Sequence, residues 1–117
     1  MELEFEDHDG VCVARTRETE LGADLSDQLR EQLLAKLEVQ PNCALDLSSV
    51  EFMDSSALGT LVAGIKSVRG RGHLRIFGLR QSIENLFRLT GMSRVFPTDA
   101  DEASAVASIR ESIKNAA

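Results

Sequence analysis

Apolar residues recur along the chain with two periods. Leu3–Phe5 and Val11–Ala14 are short strand-like pieces separated by Glu6-Asp7-His8-Asp9-Gly10. The Asp-Gly step favours a tight turn, so the pair predicts a hairpin. Leu21, Leu25, Leu29, Leu33 and Leu37 then repeat every four residues, with Leu34 widening the stripe. That spacing predicts a helix, which Pro41 and Asn42 break. Cys43–Leu47 reads as a strand with Cys43, Leu45 and Leu47 facing one way, and Ser48–Met53 as a turn returning to an apolar segment. Ala57, Leu58, Leu61, Val62, Ile65 and Val68 form the buried stripe of a second helix, with Gly70 and Gly72 just past its end. Leu74–Phe77 predicts another strand. Ser82 is placed to cap a third helix over Ile83–Leu89, with Ile83, Leu86 and Phe87 inward and Gly91 as its stop. Val95–Phe96 predicts a brief last strand cut by Pro97. Asp99 and Glu102 have capping-box spacing ahead of a C-terminal helix carrying Val106, Ile109 and Ile113.

The predicted order is ββαβαβαβα. Strands alternating with helices call for right-handed crossovers, hence an α/β fold with a mixed, mostly parallel sheet preceded by a hairpin strand. At 117 residues the chain is expected to form one domain, residues 1–117. No apolar run approaches the ~20 residues of a membrane span. The start, MELEFEDHDG, lacks the basic and hydrophobic regions of a signal peptide, so a cytoplasmic location is the expectation.

Charge sharpens the picture. The net value of −6 argues against a nucleic-acid partner, because phosphate contacts need a basic footprint. Residues 1–54 carry 4 basic and 14 acidic side chains, whereas residues 55–117 carry 9 basic and 5 acidic ones. Lys66, Arg69, Arg71, Arg75, Arg80, Arg88 and Arg94 cluster in the second half. This is either an ordinary solvated surface or a polarised one that steers a protein partner. Cys12 and Cys43 lie in strand-like stretches without a CxxC or His cluster, so each is expected as a reduced, buried thiol. His8 and His73 are isolated and expected at the surface.

The candidate chemistry sits in EFMDSSALGT, residues 51–60. Asp54, Ser55 and Ser56 open the second helix, and Asp or Ser there is the usual N-cap. Three in a row exceed what one cap needs. Gly59 costs a helix interior about 1 kcal/mol relative to alanine. It therefore either lets the helix approach the sheet or keeps a partner surface flat. A serine hydrolase would need G-x-S-x-G and a nearby base, which the flanks do not supply. A receiver-like phospho-Asp54 would need an acidic pair after the first strand and a lysine after the last. Asp7 and Asp9 are available for the first requirement, but no lysine follows Val95–Phe96. The remaining reading makes the serine a substrate. A phosphorylated hydroxyl there would add almost two negative charges beside Asp54 and change the docking surface.

The segment ALDLSSVEFMDSSALGTLVAGIKSVRGRGHLRIFGL, followed by NLFRLTGMSRVF, closely resembles the central part of STAS domains. These are the family of anti-sigma factor antagonists and sulfate-transporter tails. The shared pattern is an apolar strand ending D-[LF]-[ST], then D-S-S/T-G-L-G opening a helix, then K-x-x-x-x-x-G and a strand. The resemblance implies a mixed sheet with packed helices and no enzymatic activity or cofactor. It further implies that Ser56, with Ser55 as second choice, is phosphorylated by a partner that is both anti-sigma factor and serine kinase. Asp54 would position that serine, and a PP2C-type phosphatase would reset it. Asp54, Ser55, Ser56, Ala57, Leu58, Gly59 and Thr60 would form the partner-binding stretch of a monomer or weak dimer. Two departures stand out. Ala57 replaces the family's glycine. The loop TRETELGADLSDQL lacks the antagonists' Gly-x-Leu-Asp, leaving Glu18, Glu20 or Asp24 as substitute acids. That departure keeps open a constitutive role in a stress-signalling assembly or as a small subunit of an ABC lipid transporter.

Overall fold

The computed structural model describes residues 1–116. Strands β1 (Glu4–His8) and β2 (Val11–Arg15) form the expected hairpin, with His8 opposite Val11. Asp9 and Gly10 make the whole turn with φ of 53° and 92°. Positive φ at both central residues matches the right-handed twist of the strands. Glu6–His8 therefore belong to the ladder rather than to a loop.

The main sheet has the order β1-β2-β4-β6-β7, where β4 is Cys43–Asp46, β6 is Leu74–Phe77 and β7 is Thr98–Asp99. Every pairing except β1 with β2 is parallel. Helices α1 (Ala23–Val39), α2 (Ser55–Ser67) and α3 (Gln81–Thr90) cover one face, and α4 (Glu102–Ala116) covers the other. Strand alternation sorts the two cores. Cys12, Ala14, Cys43, Leu45, Leu74 and Ile76 face the three-helix layer. Val11, Val13, Ala44 and Phe77 face Ala105 and Ile109 of α4. This is the α/β architecture that the alternating pattern predicts, with one additional two-stranded element.

That element corrects the reading of Leu21. Glu20–Leu21 (β3) pairs in parallel with Phe52–Met53 (β5), so Leu21 is a buried strand residue ahead of the helix, although it continues the four-residue spacing. The C-terminal half holds three further corrections. Val95–Phe96 is not a strand. Phe96 is buried against Phe87, ring centroids 5.3 Å apart, and the paired residues come after Pro97. Arg80, not Ser82, is the N-cap of α3, and the Ser82 hydroxyl donates to the Glu51 carbonyl at 2.9 Å. Asp99 is bound within β7 by the Arg75 guanidinium, and Asp101 instead accepts the Ser104 amide at 2.8 Å at the start of α4.

At the carboxyl end of the sheet, Arg15 ties three elements together. Its Nε donates to Asp46 Oδ2 at 2.8 Å and its Nη2 to Glu102 Oε1 at 2.9 Å. Burial works to raise the Asp46 carboxyl, but the hydrogen bonds from Arg15 and Ser48 outweigh it and hold it below the usual carboxylate value. A depressed carboxylate stabilises the fold fully above its unfolded pKa of about 3.9, and that stability is lost as pH falls through the folded value. Urea midpoints should therefore be flat at neutral pH and fall below about pH 4. Asp46→Asn should cost about 1–3 kcal/mol at pH 7 and make the acid limb shallower. An unchanged acid limb in that variant would remove Asp46 from the explanation.

Candidate functional site

Asp54 follows β5 in an extended conformation and becomes the N-cap of α2. Its Oδ1 accepts the Ala57 amide at 3.1 Å and the Ser56 hydroxyl at 2.6 Å. The Ser56 hydroxyl and the Ala57 amide, with further backbone amides at Ser56 and Ala23, outweigh desolvation and hold the Asp54 carboxyl below its usual value. Asp54 thus stays ionised and orients the Ser56 hydroxyl. Ser55 and Ser56 are both exposed on the first turn of the helix. That turn offers unpaired amides and the positive end of the helix dipole.

The β3–β5 pairing decides what lies next to this turn. The Glu51 amide donates to Thr19 O at 2.6 Å and the Asp54 amide to Leu21 O at 3.1 Å, so the loop entering α1 lies against the loop entering α2. A Cβ at Gly22, the N-cap of α1, would stand 3.3 Å from Asp24 Oδ1 and 3.8 Å from Asp54 Oδ2, so the start of α1 lies close to the start of α2. Glu18, Glu20 and Asp24 line one groove of about 230 Å³, walled by Leu25 and Phe52. Phe52 is 53% exposed, unusual for an aromatic side chain, at the rim of this groove.

A sequence profile of the STAS domain matches residues 2–105. The chain belongs to the STAS domain family. This STAS domain is 26% identical over 109 residues to an anti-sigma F factor antagonist of Paenibacillus polymyxa, covering 91% of this chain and 92% of that protein. An anti-sigma factor antagonist from Mycobacterium paratuberculosis superposes with a TM-score of 0.85 at 25% identity, covering 93% of each chain. The unphosphorylated form of the anti-sigma factor antagonist SpoIIAA superposes at 0.76 with 18% identity, covering 94% of this chain and 97% of that one. Its phosphorylated form, from Bacillus, superposes at 0.65 with 18% identity, covering 92% and 99%.

Within the STAS framework, the stretch Asp54–Thr60 divides by helical face. Ser55, Ser56 and Gly59 are exposed and Leu58 is half-buried. Ala57 and Thr60, expected in the partner-binding stretch, are 0% and 3% exposed and point into the molecule. The Thr60 hydroxyl reaches the Ser26 carbonyl of α1 at 3.5 Å. Both hold the helix in place and neither presents a surface to a partner. A methyl at Gly59 would meet nothing within 4 Å, so this glycine does not serve helix–sheet approach. Gly64 has that role, with Leu74, Leu33 and Leu37 atoms 3.1–3.5 Å from where its Cβ would stand. Sequence reasoning missed Phe52 as a surface residue. The signal was its alternation with Met53, which is buried.

No helix among the described residues is long and apolar enough to cross a membrane. Among the same residues no cluster of three His, Cys, Asp or Glu side chains could hold a metal ion.

Proposed function

We propose that this STAS domain is a cytoplasmic anti-sigma factor antagonist, a binding module rather than an enzyme. Its unphosphorylated form docks on an anti-sigma factor that is also a serine kinase, which releases the sigma factor. Transfer of the ATP γ-phosphoryl group to Ser56 Oγ, with loss of the hydroxyl proton, ends the interaction, and a PP2C-type phosphatase restores it. The carrying observation is the exposed Ser56 hydroxyl held 2.6 Å from the ionised Asp54 on the first turn of α2. The name of the relative matched along most of its length supports the partner class. The groove lined by Glu18, Glu20 and Asp24 lies in the loop entering α1, which runs against the loop entering α2, and supports these acids as substitutes for the missing Gly-x-Leu-Asp loop.

The test is incubation with the cognate kinase, ATP and Mg²⁺, followed by phosphopeptide mapping. Acid-stable phosphate is expected on Ser56 and absent from Ser56→Ala. Phosphate on Ser55 alone would move the site by one residue and overturn the assignment. An acid-labile phosphate on Asp54 would overturn the serine switch altogether. No phosphate, together with tight binding to a transporter ATPase, would make the domain a constitutive subunit instead.

A further inference from the structure

We infer that Cys12 and Cys43 are a hydroperoxide-responsive thiol pair, with Cys12 the attacking thiol and Cys43 the resolving one. The two residues stand directly opposite each other on adjacent parallel strands, in register, and both are free. Parallel neighbours lie about 4.8 Å apart, inside the Cα separation of about 4.4–6.8 Å that a disulfide accepts. Both side chains leave the sheet on the side of α1, opposite to Val13 and Ala44. The register and the shared face therefore set the two sulfurs side by side.

Both thiols are buried, Cys12 at 2% and Cys43 at 0% exposed, but Cys12 borders a surface cleft. Cys12 forms part of the wall of a cleft of about 360 Å³ between the hairpin edge and α1, alongside Phe5, Glu6, Asp7, Lys36 and Val39. Cys43 is fully buried behind it. The cleft opens among exposed side chains, Val39 at 77% and Phe5 at 36%. Its acidic members do not repel a neutral hydroperoxide. The neighbouring Cys43 thiol, together with the Lys36 ammonium, outweighs burial and favours the Cys12 thiolate, while the neighbouring Cys12 and burial push Cys43 up. The thiolate is the nucleophile, and a neighbouring thiol that stays protonated suits the resolving role.

The chemistry balances with hydrogen peroxide, the simplest hydroperoxide, as oxidant. Cys12 S⁻ attacks the peroxide oxygen, the O–O bond breaks, and with one proton taken up the products are Cys12 sulfenic acid and water. The Cys43 sulfur then displaces hydroxide from Cys12 and loses its proton, giving the disulfide and a second water. The sulfurs are oxidised by two electrons and the peroxide is reduced by two. Cys43 is the first residue of β4, whereas Ser56 follows β5 at the carboxyl end of the main sheet's strands, so oxidation and phosphorylation occupy opposite ends of the molecule.

The experiment treats the reduced full chain with hydrogen peroxide under native conditions, then alkylates in denaturant and reads the intact mass. The expected product is a monomer lighter by two hydrogens, with both thiols protected and both recovered by dithiothreitol. Cys43→Ala should stall one oxygen heavier at Cys12, where dimedone traps it. Cys12→Ala should leave Cys43 oxidising at least about tenfold more slowly than the wild-type pair. Retention of both thiols in the folded wild-type chain, a disulfide formed only between chains, or undiminished oxidation in Cys12→Ala would overturn the proposal. If an alanine variant does not fold, the wild-type product decides alone.

Discussion

Gly72→Ala should be the most damaging single methyl addition among the chain's glycines. Its Cβ would stand 2.6 Å from the Pro41 carbonyl oxygen and 2.7 Å from both the carbonyl carbon and Cβ of that residue. Two of those three atoms are backbone, and this backbone cannot yield. The Gln40 amide caps α1 on the Lys36 carbonyl at 2.8 Å, the Asn42 carbonyl accepts from Cys12 at 2.9 Å, and Asn42 Oδ1 accepts from His73 at 3.0 Å. Arg71 closes the clamp from the other side, with bonds to the Leu37, Glu38 and Ser67 carbonyls. The clash must therefore part the end of α1 from the start of β6. Overpacking of this kind costs about 1–3 kcal/mol, roughly 4–12 °C in melting temperature for a domain of this size. Gly59→Ala is the matched control, because it meets open space inside a helix and should stabilise by about 0.5–1 kcal/mol. Urea denaturation of the two variants gives the comparison. Equal midpoints would mean that the 40–42 turn moves freely, contrary to its bonding.

That glycine illustrates what the sequence could and could not disclose. Gly72 was legible as the stop beyond a helix and as part of a family spacing. Its contact with Pro41 was not, because the two segments are brought together only by β4 and β6 pairing. The same division holds elsewhere. Leu29, Leu33 and Leu37 announce α1 through burial at helical spacing, and all three are fully buried. Leu21 keeps the same spacing yet belongs to β3, because a strand of two residues has no period of its own to read. Phe96 has the apolarity of a strand residue, but it fills the space beside Phe87, while backbone pairing passes to the polar Thr98 and Asp99. Local chemistry was more transparent. A cap at Asp54–Ser56 follows from residue type alone, and Asp54 takes it. The acidic groove walled by Phe52 depends on the β3–β5 pairing and on nothing local to either segment.

Phosphorylation of Ser56 should weaken binding to the cognate anti-sigma factor by about 10²–10³-fold while leaving the fold intact. Esterified Oγ cannot donate, so the 2.6 Å bond to Asp54 is lost and a near-dianion stands against an ionised carboxylate. The helix dipole and the free first-turn amides attract the phosphate. Asp54 repels it, and Asp54 is already committed to the Ala57 amide, so the phosphoserine side chain must turn outward into the docking face. That face carries Phe52, Ser55 and Gly59, with Glu18, Glu20 and Asp24 alongside, and has no basic side chain among these residues to neutralise the new charge. Arg80, at the N-cap of α3, pairs with Glu51 at 3.6 Å. A partner that docks must therefore desolvate the phosphate without compensation, and the charge acts through the interface instead of through a rearranged fold. Titration calorimetry should place Ser56→Ala within about threefold of the unmodified chain, phosphoserine far below both, and Ser56→Asp between them. Circular dichroism and urea midpoints should change little across the series. If phosphoserine bound within threefold of the unmodified chain, or bound weakly only because α2 had melted, the interface mechanism would be wrong. Adding Asp54→Asn to the phosphorylated chain separates the two contributions. The amide oxygen can still cap Ala57, so the helix start should persist, and any affinity recovered measures how far Asp54 drives the phosphate into the partner's path.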